Sequence, residues 1–131
     1  MILNLTQHAA TAEQAAAGVV DLEGEKLIAL KALLTFNRIP SGFEVQQMAR
    51  AIARLAADAL CDDAHEGFMR SQAMIGGAPY LMGPLEMALE AKGIHSLFAF
   101  SQRVSVEEVQ ADGTVRKINT FRHEGFVPGL Q

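Results

Sequence analysis

The sequence predicts an α/β domain of three layers, a short parallel sheet between helices, with a C-terminal antiparallel β-hairpin. Three observations predict it. Short apolar runs of strand length recur at Ile2 to Leu5, Ala73 to Ile75 and Ser96 to Phe100. Segments with apolar residues at helical spacing lie between them. Two β-prone stretches near the end are separated by Asp112-Gly113, a favoured hairpin turn. A chain of 131 residues, half of them hydrophobic and a fifth charged, has the size and composition of one folded core, so residues 1–131 are expected to form a single α/β domain.

The elements follow in order. Ile2 to Leu5, extended by Thr6 and Gln7, reads as a buried strand. Thr11 and Gln14 have capping-box spacing, in which hydroxyl and amide each satisfy an orphan backbone donor, and Gly18 ends that short helix. Val19 to Leu22 is a second strand or an extended link. From Glu25 to Phe36 the residues Leu27, Ile28, Leu30, Leu33 and Leu34 recur at helical spacing and mark a helix, with Pro40 enforcing a break beyond it. Ser41 and Glu44 repeat the capping-box spacing and open a long helix reaching Leu60, whose stripe of Val45, Met48, Ile52, Leu55 and Ala59 is expected to face the core. Gly76 and Gly77 form a tight turn before Pro79, which suits the first position of a helix that Gly93 closes. Strand, helix and strand over Ala73 to Phe100 make a βαβ unit with parallel strands, and the tail Gly125 to Val127 is expected to dock.

Charge and motif content exclude several classes. A net charge of −4 with only 11 scattered Lys and Arg argues against duplex nucleic acid as a partner. The single cysteine, Cys61, permits no intramolecular disulfide and no thiolate zinc cluster. Asp62, Asp63, His65 and Glu66 include metal-ligand types without a ligand spacing, and the expectation is a solvated segment with no metal and no cofactor. The opening residues carry no basic segment of the secretory kind, and no apolar run has membrane-spanning length, so the cytoplasm is the expected setting and a membrane is not an expected partner. No GxxxxGK[ST], complete GxGxxG, HExxH or GxSxG occurs.

In open α/β sheets ligands bind beyond the carboxyl ends of the parallel strands, where loops and helix N-termini converge. The sequence places Thr6, Gln7 and His8 after the first strand, Gly76 and Gly77 after the second, and Ser101, Gln102 and Arg103 after the third. Thr6, Gln7, Gly76, Gly77, Ser101 and Arg103 are therefore the candidate ligand-binding residues. Glycines let backbone amides approach a phosphate, and a guanidinium forks onto one. His8 is the candidate for proton transfer and Arg103 for charge stabilisation, should the site catalyse a reaction. Asn119, Arg122, His123 and Glu124 form a second polar group near the last strand. The expected ligand is a nucleotide or other anionic small molecule.

The segments ILNLTQH, AMIGGAP and FAFSQR resemble those of small Rossmann-like proteins of CRISPR and phage-defence signalling, the CARF-type sensors and ring-nuclease-like proteins. That resemblance implies a Rossmann-like fold, cyclic-nucleotide binding or cleavage, and a dimer. It assigns Thr6, Gln7 and His8 to the polar end of the first strand, and Gly76 with Gly77 to the phosphate-facing turn. Where those proteins often carry Thr and a basic residue after the glycines, this chain has Ala78 and Pro79. The overall style is also similar to phage and prophage proteins. The alternative function is accordingly a non-enzymatic oligomeric interaction protein, using the long helix and the hairpin as its surface.

Overall fold

The computed structural model describes residues 1–62 and 71–129. In chain order the elements are β1 (Ile2–Asn4), α1 (Ala12–Ala16), β2 (Val19–Asp21), α2 (Gly24–Leu34), α3 (Gly42–Asp62), β3 (Ser71–Ile75), α4 (Pro79–Ala91), β4 (Ile94–Val109) and β5 (Val115–Pro128). They build an α/β structure around a five-stranded mixed sheet of order β2-β1-β3-β4-β5. The first four strands run parallel and β5 is antiparallel to β4. Among the described residues no helix is long and apolar enough to cross a membrane.

Strand alternation divides the core into two clusters. Leu3, Leu5, Ala73, Ile75 and Ile94 join the buried residues of α2, α3 and α4 in the larger one. Ile2, Val19, Met74 and Leu97 form a small second cluster, covered by Ala10 and Phe126. In α4 the fully buried leucines Leu81, Leu85 and Leu89 are spaced four residues apart and make one stripe. Each such side chain stabilises the fold by about 1.5–3 kcal/mol relative to exposure.

The buried side of α3 is displaced from the expected stripe. Val45, Ile52 and Ala59 are buried, but Met48 and Leu55 are only half-buried, and Ala49, Ala53 and Ala56 take their share of the core. Small side chains let helix backbones approach closely, so alanines occupy the centre of the contact and the larger residues flank it.

Local signals at the helix starts act as the spacing predicts, with one change. Thr11 and Gln14 form a full capping box: the Gln14 amide donates to Thr11 Oγ1 at 3.1 Å and the Thr11 amide to Gln14 Oε1 at 3.1 Å. At α3 only half of the box forms. The Glu44 amide donates to Ser41 Oγ at 3.1 Å, while the Glu44 carboxylate accepts from Arg38 Nη1 and Nη2 at 3.1 and 2.8 Å. A guanidinium fork on a carboxylate is a stronger arrangement than a neutral amide contact. The hydrogen-bonded guanidinium holds the Glu44 carboxyl below its ordinary pKa.

One expectation is corrected. Ser96 to Phe100 does not end at Ser101: β4 continues through Arg103 to Val109 as a single strand. Polar residues at 101–103 read as a loop in a sheet with buried faces, but beyond Phe100 β4 has, among the described residues, only β5 beside it and both faces of the ribbon are largely exposed. Nothing in Ser-Gln-Arg breaks an extended chain under those conditions. The two strands form an arm whose turn contains Gly113 at φ 84°. Asp112 Oδ1 accepts from the Thr114 amide and hydroxyl there, at 3.0 and 2.6 Å. The register shifts between Phe100 and Ser101, leaving Glu124 as the extra residue of a bulge between Gly125 and His123. The expected docked tail is the last part of β5, with Val127 opposite Phe98 and Phe126 in the second cluster.

Candidate functional site

The strand order creates a switch point. From β1 the chain crosses to β2 on one side, then returns past β1 to β3 on the other. Loops leaving β1 and β3 therefore diverge, and a crevice opens between them at the carboxyl ends of the strands.

The loop after β1 is held by Asn4, a polar side chain only 3 % exposed. Its Nδ2 donates to Asp21 Oδ1 at 2.7 Å and to the His8 carbonyl at 2.8 Å. Its Oδ1 accepts from the Thr6 amide at 2.9 Å and the Thr6 hydroxyl at 2.7 Å. Asp21 Oδ1, at the end of β2, also accepts from the Ala10 amide at 3.0 Å. A buried amide must find such partners, and in doing so it fixes the loop through Thr6, Gln7 and His8. Gln7 is tied on the other side, donating to the Leu34 carbonyl at 3.0 Å.

Two cavities flank that loop. One, of about 400 Å³, is walled by Thr6, Gln7 and His8 on one side and by Gly76, Gly77 and Phe98 on the other. Gly77 has φ 139°, a conformation closed to most side chains, and turns the chain into α4. The α4 N-terminus has no side-chain cap, and Pro79 in its first turn brings no amide hydrogen. The second cavity, of about 360 Å³, shares Thr6, Gln7 and His8 and adds Asp21, Glu23 and Lys31 beside the start of α2.

Five of the expected residues, Thr6, Gln7, His8, Gly76 and Gly77, thus come together. Ser101 and Arg103 do not. They lie inside β4, opposite His123 and Phe121, exposed on the arm and outside the cavity walls. The physical reason is the one given above: the strand does not stop where its polar residues begin. Asn119, Arg122, His123 and Glu124 belong to β5 and line neither cavity. The His123 amide instead donates to Glu13 Oε2 in α1 at 3.1 Å, and its ring meets Phe126 edge-on at 4.9 Å. Asp63, His65 and Glu66 lie outside the described residues.

Sequence reasoning missed Asn4 and Asp21, which hold the β1 loop in place and line the second cavity. A polar residue within the apolar run Ile2 to Leu5 was the available signal, because a buried amide demands partners. Gln14, Phe98 and Ala99, which complete the larger cavity's wall, carry no such signal.

Neither the curated proteins nor the solved structures contain a match to this chain. A family model described as Uncharacterized protein MJ1673 family matches residues 1–127, both cavities and nearly the whole arm included. The chain belongs to the MJ1673 family.

Proposed function

We propose that this protein binds a nucleotide or another phosphate-containing small molecule in the cavity between the β1 and β3 loops. The observation that carries the reading is the position of that cavity at the β1/β3 switch point, where the Gly76-Gly77 turn meets the Thr6 to His8 loop. Backbone amides at a glycine turn accept the close approach of phosphate oxygens, and the uncapped α4 terminus adds partial positive charge. Thr6 and Gln7 supply polar atoms. His8, exposed at the rim, is the group able to exchange a proton with what binds.

In this reading α1 forms the outer layer of a three-layer Rossmann-like domain, opposite α2, α3 and α4. The setting is cytoplasmic, and cyclic-nucleotide signalling is the narrower form of the function.

The test is a thermal-shift titration with inorganic phosphate, mononucleotides and cyclic nucleotides. Ligand at a hundred times its Kd stabilises the native state by about 2.7 kcal/mol. Two variants localise the effect. A Cβ at Gly76 meets only Thr6 Cγ2 at 3.6 Å, an ordinary contact, so Gly76→Ala folds while narrowing the cavity. His8→Ala removes an exposed side chain. Both variants are expected to keep the ligand-free melting temperature and lose at least half of the ligand shift. A wild-type protein that responds to none of these compounds rules the reading out.

A further inference from the structure

We propose that the groove between α3 and α4 binds an amphiphilic anion, a small molecule with an apolar body and an acidic head, at a site separate from the β1–β3 cavity. The two helices lie side by side with their N-termini at the same end, and two cavities open along their seam. The first, of about 700 Å³, is walled by Phe36, Ile39, Pro40, Val45, Tyr80 and Pro84. The second, of about 410 Å³, is walled by Arg50, Arg54 and Lys92 around Met87. Gln46 and Pro84 border both, so the two are ends of one groove. Each end has the size of a site that holds a small molecule.

The ends differ in chemistry. At the first, the Phe36 and Tyr80 rings meet edge-on at 5.1 Å, and Ile39 stands on the same wall 93 % exposed. An apolar wall open to water gains from a ligand that removes it from solvent. At the second end the three cations are exposed, and none of them forms an ion pair among the described residues. No carboxylate lines that end, although the chain as a whole carries −4. Arg50 and Arg54 stand one turn apart on α3, the spacing at which like charges repel. An anion from outside the chain relieves that repulsion, because guanidinium groups fork onto a carboxylate or a phosphate.

Neither end alone selects the ligand, but the pair does. From Gln46 to Arg54 is eight residues of α3, about 12 Å along the helix, so a molecule that touches both ends is at least that long and changes character along its length. A small bare anion leaves the apolar wall wet. A neutral apolar molecule leaves the cations unmatched. A nucleic-acid backbone needs a long cationic track, whereas here the cations close one end of a groove.

Tyr80 is the only tyrosine in a chain without tryptophan, so its fluorescence reports the apolar end directly. The full chain is titrated with dodecanoate and with dodecyl phosphate, both below their micelle concentrations, and with dodecanol and acetate, which carry the body and the head alone. Both long anions are expected to change the Tyr80 emission saturably at one molecule per chain, the tighter of them naming the head group, while dodecanol and acetate bind at least tenfold more weakly. The double variant Arg50→Gln, Arg54→Gln replaces exposed side chains and is expected to keep the melting temperature, to weaken both anions at least tenfold and to leave dodecanol unaffected. No saturable response to either anion overturns the proposal, as does a double variant that binds them like the wild type or a dodecanol affinity equal to theirs. Sedimentation with phosphatidylglycerol vesicles, while the free anions leave Tyr80 unchanged, overturns it in favour of a membrane surface. None of these readouts uses a nucleotide, so the cavity reading and this one fail separately.

Discussion

One strand lives in two environments. Residues 94–98 of β4 pair with β3 with Ile94, Ser96 and Leu97 buried, whereas from Ala99 to Val109 only Val104 is even half-buried. The chain uses the same conformation in both, yet different physics holds it. In the body, burial under α4 fixes the strand; in the arm, cross-strand hydrogen bonds and side-chain pairs do so alone. The difference shows why strand length cannot be read from polarity unless the environment of each face is known.

Substitutions can break that contrast. Leu85→Ala, deep in the body, is expected to cost about 2–5 kcal/mol in urea denaturation, while Ser105→Ala on the arm stays within about 0.5 kcal/mol. Equal costs would mean that the arm carries as much of the cooperative fold as the core does.

A smaller effect is expected at the seam between body and cavity. Asn4→Ala leaves Asp21 and the His8 carbonyl short of a donor and is expected to cost about 1–3 kcal/mol. Limited proteolysis is expected to cut first between Thr6 and Ala10 in that variant. Cleavage at the arm first, with the loop intact, would show that Asn4 does not hold the loop.

The smallest effect is electrostatic. Glu44 in the body and Asp112 at the arm tip both have carboxyl pKa values lowered from 4.5 and 3.8, the first chiefly by the Arg38 guanidinium, the second by the Thr114 hydroxyl and amide. A carboxylate whose folded pKa is depressed contributes stability above its unfolded pKa, and that stability disappears as pH falls through the folded value. Both contributions therefore fade on acidification below the ordinary carboxylate range. Glu44→Gln is expected to flatten the acid limb of the global melting curve slightly, and more so in low salt than in high. No change in the acid limb at low salt would show the Arg38 pair to be without consequence for folding.

Much of this architecture was legible because its signals are local. The Thr11–Gln14 box, the Asp112-Gly113 turn and Pro79 at the start of α4 each act over a few residues and appear as expected. The alanine-centred packing of α3 was not legible, since it depends on how near α4 lies, nor was the continuation of β4. The same gap divided the site. Residues 6–8 and the glycines were placed by strand ends that sequence can locate, whereas Ser101 and Arg103 were placed by an end that does not exist.

The unbroken run of β4 also ties the arm to the cavity wall. Phe98 and Ala99 are wall residues of the larger cavity, and the Asp112-Gly113 tip stands about 30 Å further along the same ribbon. The Glu124 bulge lies between the two, where the register of the ribbon shifts. A change of side chain at Phe98 or Ala99 therefore alters the root of the arm and the lining of the crevice in one stroke.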